Sequence, residues 1–447
     1  MPTPPAPPPA AALRATPLAD DRLAAGRPSA GRPAVAKSPV DRPLDASTPA
    51  PRRGLRRRLR AAAACGALAL ALGAPDTPAR ADEVADGLPR TAVRVGEGGV
   101  LRLYGHVNRG FLVYDDGGAH KLFPLIDNGN SQSRVGLHYL RAGETTFEGR
   151  AEIGYAPYAS DRASFAADRP ARDDFDLTKN NIRKLEVSAA RPALGQLSLG
   201  QGSMATDGIT EIDFSETSVV AYSSVGASAG GQLFREDGNG GALTDIRVGD
   251  AFASFDGSRR ARLRYDTPTI AGAFTASVSY GHNLLSDEAS VRKAELVDVA
   301  LRFERRQGGY WLAAGGGWSR LGDGSQVAAG SGSVLHVASG LNLTLAAGAA
   351  DDTSSRVLYG KLGLRRNLVS WGETAVSVDL YTARDPYLDA SAGIASSASR
   401  SVGLAAVQKI DAARVEVWGT VRVFRYSDNS ASYEDGRAVF AGARWRF

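Results

Sequence analysis

The chain has 447 residues, 51 of them glycine and one cysteine, with a formal net charge of +5 at neutral pH. That balance does not make a nucleic-acid binder: residues 1–81 hold 13 of the 53 Lys and Arg but only 5 of the 48 Asp and Glu, and the rest is slightly acidic. Past residue 81 there is no cysteine, which excludes a disulfide frame, thiolate chemistry and cysteine-ligated metal.

In chain order, residues 1–50 are rich in Pro and Ala and lack periodicity, so a disordered extension is expected. Residues 51–81 read as an export signal. "RRGLRRRLR" is its charged part, "AAAACGALALALGA" its apolar part, and "ARA" before Asp82 a small-x-small cleavage site near Ala81. The apolar part falls short of the ~20 residues that a spanning helix needs. Cys65 sits early in that apolar stretch and reads as a small leader residue, not a lipid attachment site. A charged part beginning at residue 52 is late, which leaves open whether residues 1–50 are translated.

From 82 to 447 the pattern is alternation, without any run of 18 apolar residues. "VEVWGTVRVF" (415–424) sets Val415, Val417, Val421 and Val423 on one side and Glu416, Thr420 and Arg422 on the other. Such runs predict about sixteen strands: 99–114, 131–141, 144–157, 176–190, 194–201, 259–268, 272–283, 292–306, 309–319, 325–337, 340–350, 353–367, 370–384, 396–410, 413–427 and 436–447. Tight links such as "RAGE" and "RRQGG" alternate with long polar ones at 115–130, 158–175, 202–258 and 385–395. An even number of ~10-residue strands, with short turns at one end and long loops at the other, is the signature of an antiparallel transmembrane β-barrel. A soluble β-sandwich also alternates. The thin apolar face, the charged opposite face and the unprotected edges that sixteen open strands would leave all favour the barrel.

Several segments resemble Gram-negative general porins, the alphaproteobacterial branch most closely. "LRLYGHVNRGFLVYDDG" (101–117) resembles their first strand, and "DNGNSQSRVGL" (127–137) the opening of the second. "NNIRKLEV" with "LGQLSLGQG" (180–202) is similar to the unit before the constriction loop, and "RRARLRYDTPTIAGAFTASVSYG" (259–281) to the hairpin after it. The resemblance implies an all-β, sixteen-stranded barrel in the cell outer membrane, a homotrimer, passing small hydrophilic solutes and ions by diffusion. It also implies that the long 202–258 stretch is loop 3, folded inward as a constriction. The terminal aromatics Trp445 and Phe447 would be the signal read by the barrel-assembly machinery. Outer-membrane lipid and lipopolysaccharide are the expected surroundings.

On that reading loop 3 supplies acidic Asp207, Glu211, Asp213 and Glu216 to the constriction. Alternation and motif position put Arg134, Arg150, Arg260, Arg262 and Arg264 on the opposing wall, with His106 and Lys184 as additions. Carboxylates facing guanidiniums across a narrow wet gap make a transverse field that orients polar solutes, and arginine keeps its charge at any working pH. Two residues resist the scheme. Arg109 shares parity with Val107 and Phe111 and so should face outward. In "IRKLEV" alternation puts Lys184 and Glu186 inward and Arg183 outward, whereas the family pattern favours an inward Arg183.

The alternatives are a substrate-specific channel for anions or sugars, a barrel enzyme, and a surface adhesin. The five histidines of the body are scattered and no GxSxG or HExxH occurs, so no enzyme and no catalytic residue is predicted. No cofactor is predicted. "DNGN" (127–130) and "EDGNG" (236–240) have a composition that would suit calcium, but polar turns are the commoner explanation.

Overall fold

A computed structural model describes residues 91–166, 176–238, 241–286 and 294–447. The extension, the export segment and the cleavage site lie outside them. The strands are β1 (Ala92–Val95), β2 (Gly99–Asp115), β3 (His120–Asp127), β4 (Arg134–Arg141), β5 (Thr146–Gly154), β6 (Ile182–Arg191) and β7 (Gly195–Ser203). Two short ones, β8 (Leu233–Arg235) and β9 (Leu243–Arg247), form a separate hairpin. Then come β10 (Arg259–Asp266), β11 (Phe274–His282), β12 (Glu295–Gln307), β13 (Tyr310–Leu321), β14 (Gln326–His336) and β15 (Leu341–Ala350). The last are β16 (Arg356–Val369), β17 (Gly372–Arg384), β18 (Ser397–Ile410), β19 (Val415–Asp428) and β20 (Gly436–Arg446).

Each wall strand pairs antiparallel with its neighbours, and β2 pairs with β20 from His106↔Arg446 to Asp115↔Arg437. The sheet is thereby a closed sixteen-stranded barrel with no edge to protect. Alternation is what turns it the right way round. On β19, Val417 and Val421 are half exposed on the outer face, while Trp418, Arg422 and Phe424 are buried inside. An outer surface made of exposed Val and Leu has no place in water and suits lipid. Short turns at 308–309, 370–371 and 411–414 mark one end. Longer connections at 155–181, 204–258 and 385–396 mark the other, although 322–325 and 351–355 are short there too.

The second wall position is split, which the sequence reading missed. β3 pairs with the upper half of β2 and β4 with the lower half. Pro124 has no N–H to offer the ladder and Leu125 takes a left-handed φ of 51°, so the register shifts between Gly110 and Leu112. Between the two pieces Asn128–Ser133 tucks inward and is buried; Asn128 Nδ2 donates to the Val219 carbonyl at 2.9 Å. The "DNGN" candidate is thus a hydrogen-bonded turn, in which Asn128 Oδ1 accepts from the Asn130 amide at 2.9 Å. "EDGNG" lies partly outside the described residues.

Closure is completed by the chain end. Phe447 and Gly105 exchange backbone hydrogen bonds of 3.1 and 3.2 Å, and β1 continues along the same edge of β2. A Cβ at Gly105 would lie 2.7 Å from the Phe447 ring and closer still to the Arg134 carbonyl. Gly105→Val should therefore destabilise the seam by about 1–3 kcal/mol. Heat-modifiability gels should show the folded band lost at lower temperature than for the parent, whereas an unchanged transition would mean that the seam does not depend on this approach.

Candidate functional site: the pore lining and the long inward loop

Residues 204–258, between β7 and β10, do not extend away from the barrel. Their backbone is stitched to lumen-facing side chains on the far wall. Thr206 N and Oγ1 donate to Asp298 at 2.8 and 2.7 Å. The Ile212 and Phe214 amides donate to Ser331 and Ser333, each at 3.1 Å, and Ser331 Oγ donates back to the Ile209 carbonyl at 2.7 Å. Phe214 packs on Trp311 with centroids 4.4 Å apart. The other end of the loop clamps its start, since Asp256 accepts from the amides of Gly208 and Thr210.

Two of the four predicted constriction carboxylates, Asp213 and Glu216, are ion-paired with cations of the wall. Asp213 Oδ2 sits 2.6 Å from Lys361 Nζ, which is 1% exposed and also donates to Ser215 Oγ and the Ala221 carbonyl. Glu216 is bound by Arg365 at 3.1 Å and Lys409 at 2.9 Å, and both cations also hold Glu373. Burial opposes charge on Glu216, but Lys409 and Arg365 outweigh it and hold its carboxyl down at about 2. Glu216 also takes a left-handed φ of 62°, which this ion-pair network secures. Asp213 and Glu216 thus anchor the loop across the lumen to β16 and β18. The signal for it was Lys361 and Arg365, which share the inward parity of β16. Asp207 and Glu211 are buried nearer the loop's turn. The Asp207 carbonyl accepts from Arg302 at 3.0 Å, and Glu211 acts electrostatically on Arg259 and Tyr222.

Past residue 218 the loop becomes a hydrophobic wedge. Val220, Phe234, Val248 and Phe252 are buried against inward aromatics of the wall. Phe252 lies 5.3 Å from Tyr381 and 5.2 Å from Phe424, and Phe234 lies 5.4 Å from Tyr426. Within this core Arg422 is forked onto Asp379 through two hydrogen bonds of 2.7 Å. The wedge covers the sector of β2, β3 and β15–β20, and none of its described residues comes from β4–β7 or β10. A lumen face is not uniformly wet here. The sequence clue was that β16–β20 carry Tyr359, Tyr381, Phe424 and Phe440 on the same parity as their charges.

The opposite sector holds the arginines. Arg134, on the inward face of β4, has Nη1 3.7 Å from Glu152 Oε1, and Arg183 Nε donates to the same oxygen at 2.6 Å. Tyr104 donates to Glu152 Oε2 at 3.0 Å. Both Arg183 and Lys184 face the lumen, because a bulge shifts the β5–β6 register from Glu152↔Lys184 to Ile153↔Ile182. The extra residue resolves the conflict between alternation and family pattern. Nη2 of Arg134 and both Nη atoms of Arg183 are buried without an acceptor among the described residues. Arg259, at the first position of β10 and absent from the predicted set, acts electrostatically on Arg183 and feels Arg134, Glu152, Glu211 and Asp256.

The remaining predicted wall residues are inward but spoken for. Arg262 is bonded to Glu186 and to the Ser203 carbonyl. Arg264 forks onto Asp266 and donates to the Met204 carbonyl at 2.7 Å. Arg260 donates to the Ala294 carbonyl at 3.2 Å, and Arg150 sits 3.3 Å from Glu148. His106 is buried, with Nε2 2.9 Å from the Gln132 carbonyl. Arg444, another inward residue outside the predicted set, holds Glu416 beside Arg446. Arg109 does face outward, where Asp127 lies 3.5 Å away and the Leu125 and Pro157 carbonyls accept from it. Trp445 is half exposed on the outer face, 5.3 Å from the Phe447 ring.

A family profile described as Gram-negative porin matches residues 61–429. Among solved structures, the anion-selective porin of Comamonas acidovorans aligns with a TM-score of 0.50 at 16% identity, covering 78% of this chain and all of that one. OprB of Pseudomonas putida, at high pH, gives 0.50 at 10% identity over 78% and 94% of the two chains. OmpF of Salmonella typhi, solved with daunomycin, gives 0.49 at 13% identity over 80% and 100%. No curated protein matches by sequence.

Proposed function

The chain belongs to the Gram-negative porin family and is an outer-membrane diffusion channel, not an enzyme; from that premise we propose that residues 204–258 narrow its water-filled pore and that the narrowed passage weakly prefers anions. One observation carries this reading. Arg134 and Arg183 share a single carboxylate, Glu152, with Arg259 beside them also feeling Glu211 and Asp256, while Asp213 and Glu216 are neutralised by Lys361, Arg365 and Lys409 on β16 and β18. Arg134 and Arg183 outnumber Glu152, so the local surplus at that wall is positive and acts on a passing ion through its field. The hydrophobic wedge confines passage to the arginine side. The solutes are small and hydrophilic, and the assembly is a homotrimer, as the family resemblance implies. Trp445 and Phe447 serve as the assembly signal.

Single-channel recording of protein purified from outer membranes, under a KCl gradient in a planar bilayer, tests the reading. Conductance steps in triplets and a reversal potential on the chloride side are expected. A cation-side potential would overturn the anion preference. Conductance that saturates with one anion and not with chloride would favour a substrate-specific channel instead.

A further inference from the structure

The wall beneath the first arm of the long loop, residues 204–217, carries two rows of very small residues. Gly317, Ala329 and Gly348 stand directly across from one another on β13, β14 and β15, and Gly315, Ser331 and Ala346 do the same one step along. On β16–β20 the inward positions instead hold Tyr359, Tyr381 and Phe424. The barrel is thus thinly lined under one part of the loop and thickly lined under the other.

The loop sinks into the thin part. A Cβ on Gly315 would lie 2.8 Å from Ile209 Cδ1 and 2.9 Å from Ile212 Cδ1. One on Gly317 would lie 2.7 Å from Thr206 Cγ2, and one on Gly348 2.8 Å from Phe255 Cβ. Carbon atoms in contact sit about 3.5–4.0 Å apart, so each glycine brings the loop about 1 Å closer to the wall than alanine would. Gly316, between the first two, points the other way, and a Cβ there meets nothing within 4 Å. The close approach therefore belongs to the loop's side of the strand and not to the strand itself. Nor can the isoleucines swing aside freely. Ile209 is buried with Ala205 and Ala300, and Ile212 packs on the cluster of Phe214, Trp311 and Leu335. An added methyl has to lift the backbone.

We propose that Gly315, Gly317 and Gly348 are positioning residues that set the size limit of the passage, by holding the loop back against β13–β15 and away from the arginine wall. The proposal rests on the reading that residues 204–258 narrow the pore, and adds what fixes how far they do so. Whatever thickens the seat beneath the loop is lost from the gap in front of it. That loss falls hardest on the largest solutes that still pass, while the charges lining the gap stay as they were.

The test reconstitutes the channel purified from outer membranes into liposomes. Swelling rates with a pentose, a hexose and a disaccharide are read beside single-channel conductance in KCl. G315A/G317A should slow the disaccharide more than the pentose and lower the conductance, with the sign of ion preference kept, whereas G316A should match the parent. The rescue moves methyl groups from the loop to the wall. I209V and I212V remove the two Cδ1 atoms, and T206S removes Cγ2 while keeping the hydroxyl that donates to Asp298. G315A/G317A carrying these three changes should regain the parent's sugar profile. Should the double variant not fold, G315A with and without I209V/I212V carries the same comparison. Slowing that the loop changes do not relieve overturns the proposal, as does equal slowing by G316A. If G315A/G317A passes sugars as the parent does, its crystal structure separates two failures. A loop that has not moved overturns the glycine seat alone, whereas a loop lifted by about 1 Å without effect also overturns the reading that it narrows the pore.

Discussion

Lys361→Met should leave the barrel standing and set part of its inner loop loose. Lys361 Nζ is the hub of residues 213–221, with Asp213, Ser215, Thr217 and the Ala221 carbonyl all within 3.4 Å. Methionine fills most of the volume but strands the Asp213 carboxylate in a buried place, with Ser215 and Thr344 alone among the described residues still donating to it. Breaking a buried pair from one side costs about 3–5 kcal/mol. The wall of β15–β17 is held by its own ladder of backbone hydrogen bonds, so the loss falls on the loop. Single-channel records should show a noisier open level and altered conductance, with residues 213–221 newly open to protease. Adding Asp213→Asn removes the stranded charge and should recover most of the loss, the signature of a pair and not of a packing defect. Records and proteolysis indistinguishable from the parent's would mean that the loop is held by its wedge alone.

The wedge also shows where reading the sequence reached its limit. Period-two alternation located all sixteen wall positions, because a strand with lipid on one side and side chains on the other must alternate. It broke at two places, each for a local reason. One extra residue at the β5–β6 bulge put Arg183 and Lys184 on the same side, and Pro124 with left-handed Leu125 cut the second strand in two. The loop was a harder problem. Its acidic residues were visible, but a loop has no period, so nothing in "TDGITEIDFSE" says which carboxylate meets a wall cation. The partners Lys361, Arg365 and Lys409 lie more than 140 residues away and could be matched only once closure had brought β16 and β18 across the lumen. The inward aromatics of β16–β20 were the legible hint of a dry interior, since a wet lumen gives no reason to bury Tyr359 or Phe424.

Replacing Arg134 and Arg183 together by glutamine should shift the channel toward cations. At about 6 Å in water-like surroundings one unit charge changes an ion's energy by about 0.7 kcal/mol, roughly threefold for that ion, and because cation and anion shift in opposite directions their permeability ratio changes by about tenfold for each arginine before screening. Glu152 strengthens the effect. It is now shared by Arg134, Arg183 and Tyr104, and in the variant it keeps Tyr104 with Lys184 opposite. The shift belongs to low salt: at 0.1 M the screening length is about 10 Å, whereas at 1 M it is about 3 Å and the pore wall is largely hidden. Reversal potentials of the parent and the variant should therefore diverge at 0.1 M and converge at 1 M. Arg134→Lys/Arg183→Lys keeps the charge but loses the planar guanidiniums and the Arg183 Nε hydrogen bond to Glu152, so it separates the field from the shape of the site. If the lysine variant keeps the parent's selectivity and the glutamine variant does not, charge at this wall governs passage. If neither differs from the parent, ions cross the barrel by a route that the arginine wall does not line, and the wedge would have to leave a second passage along β16–β20.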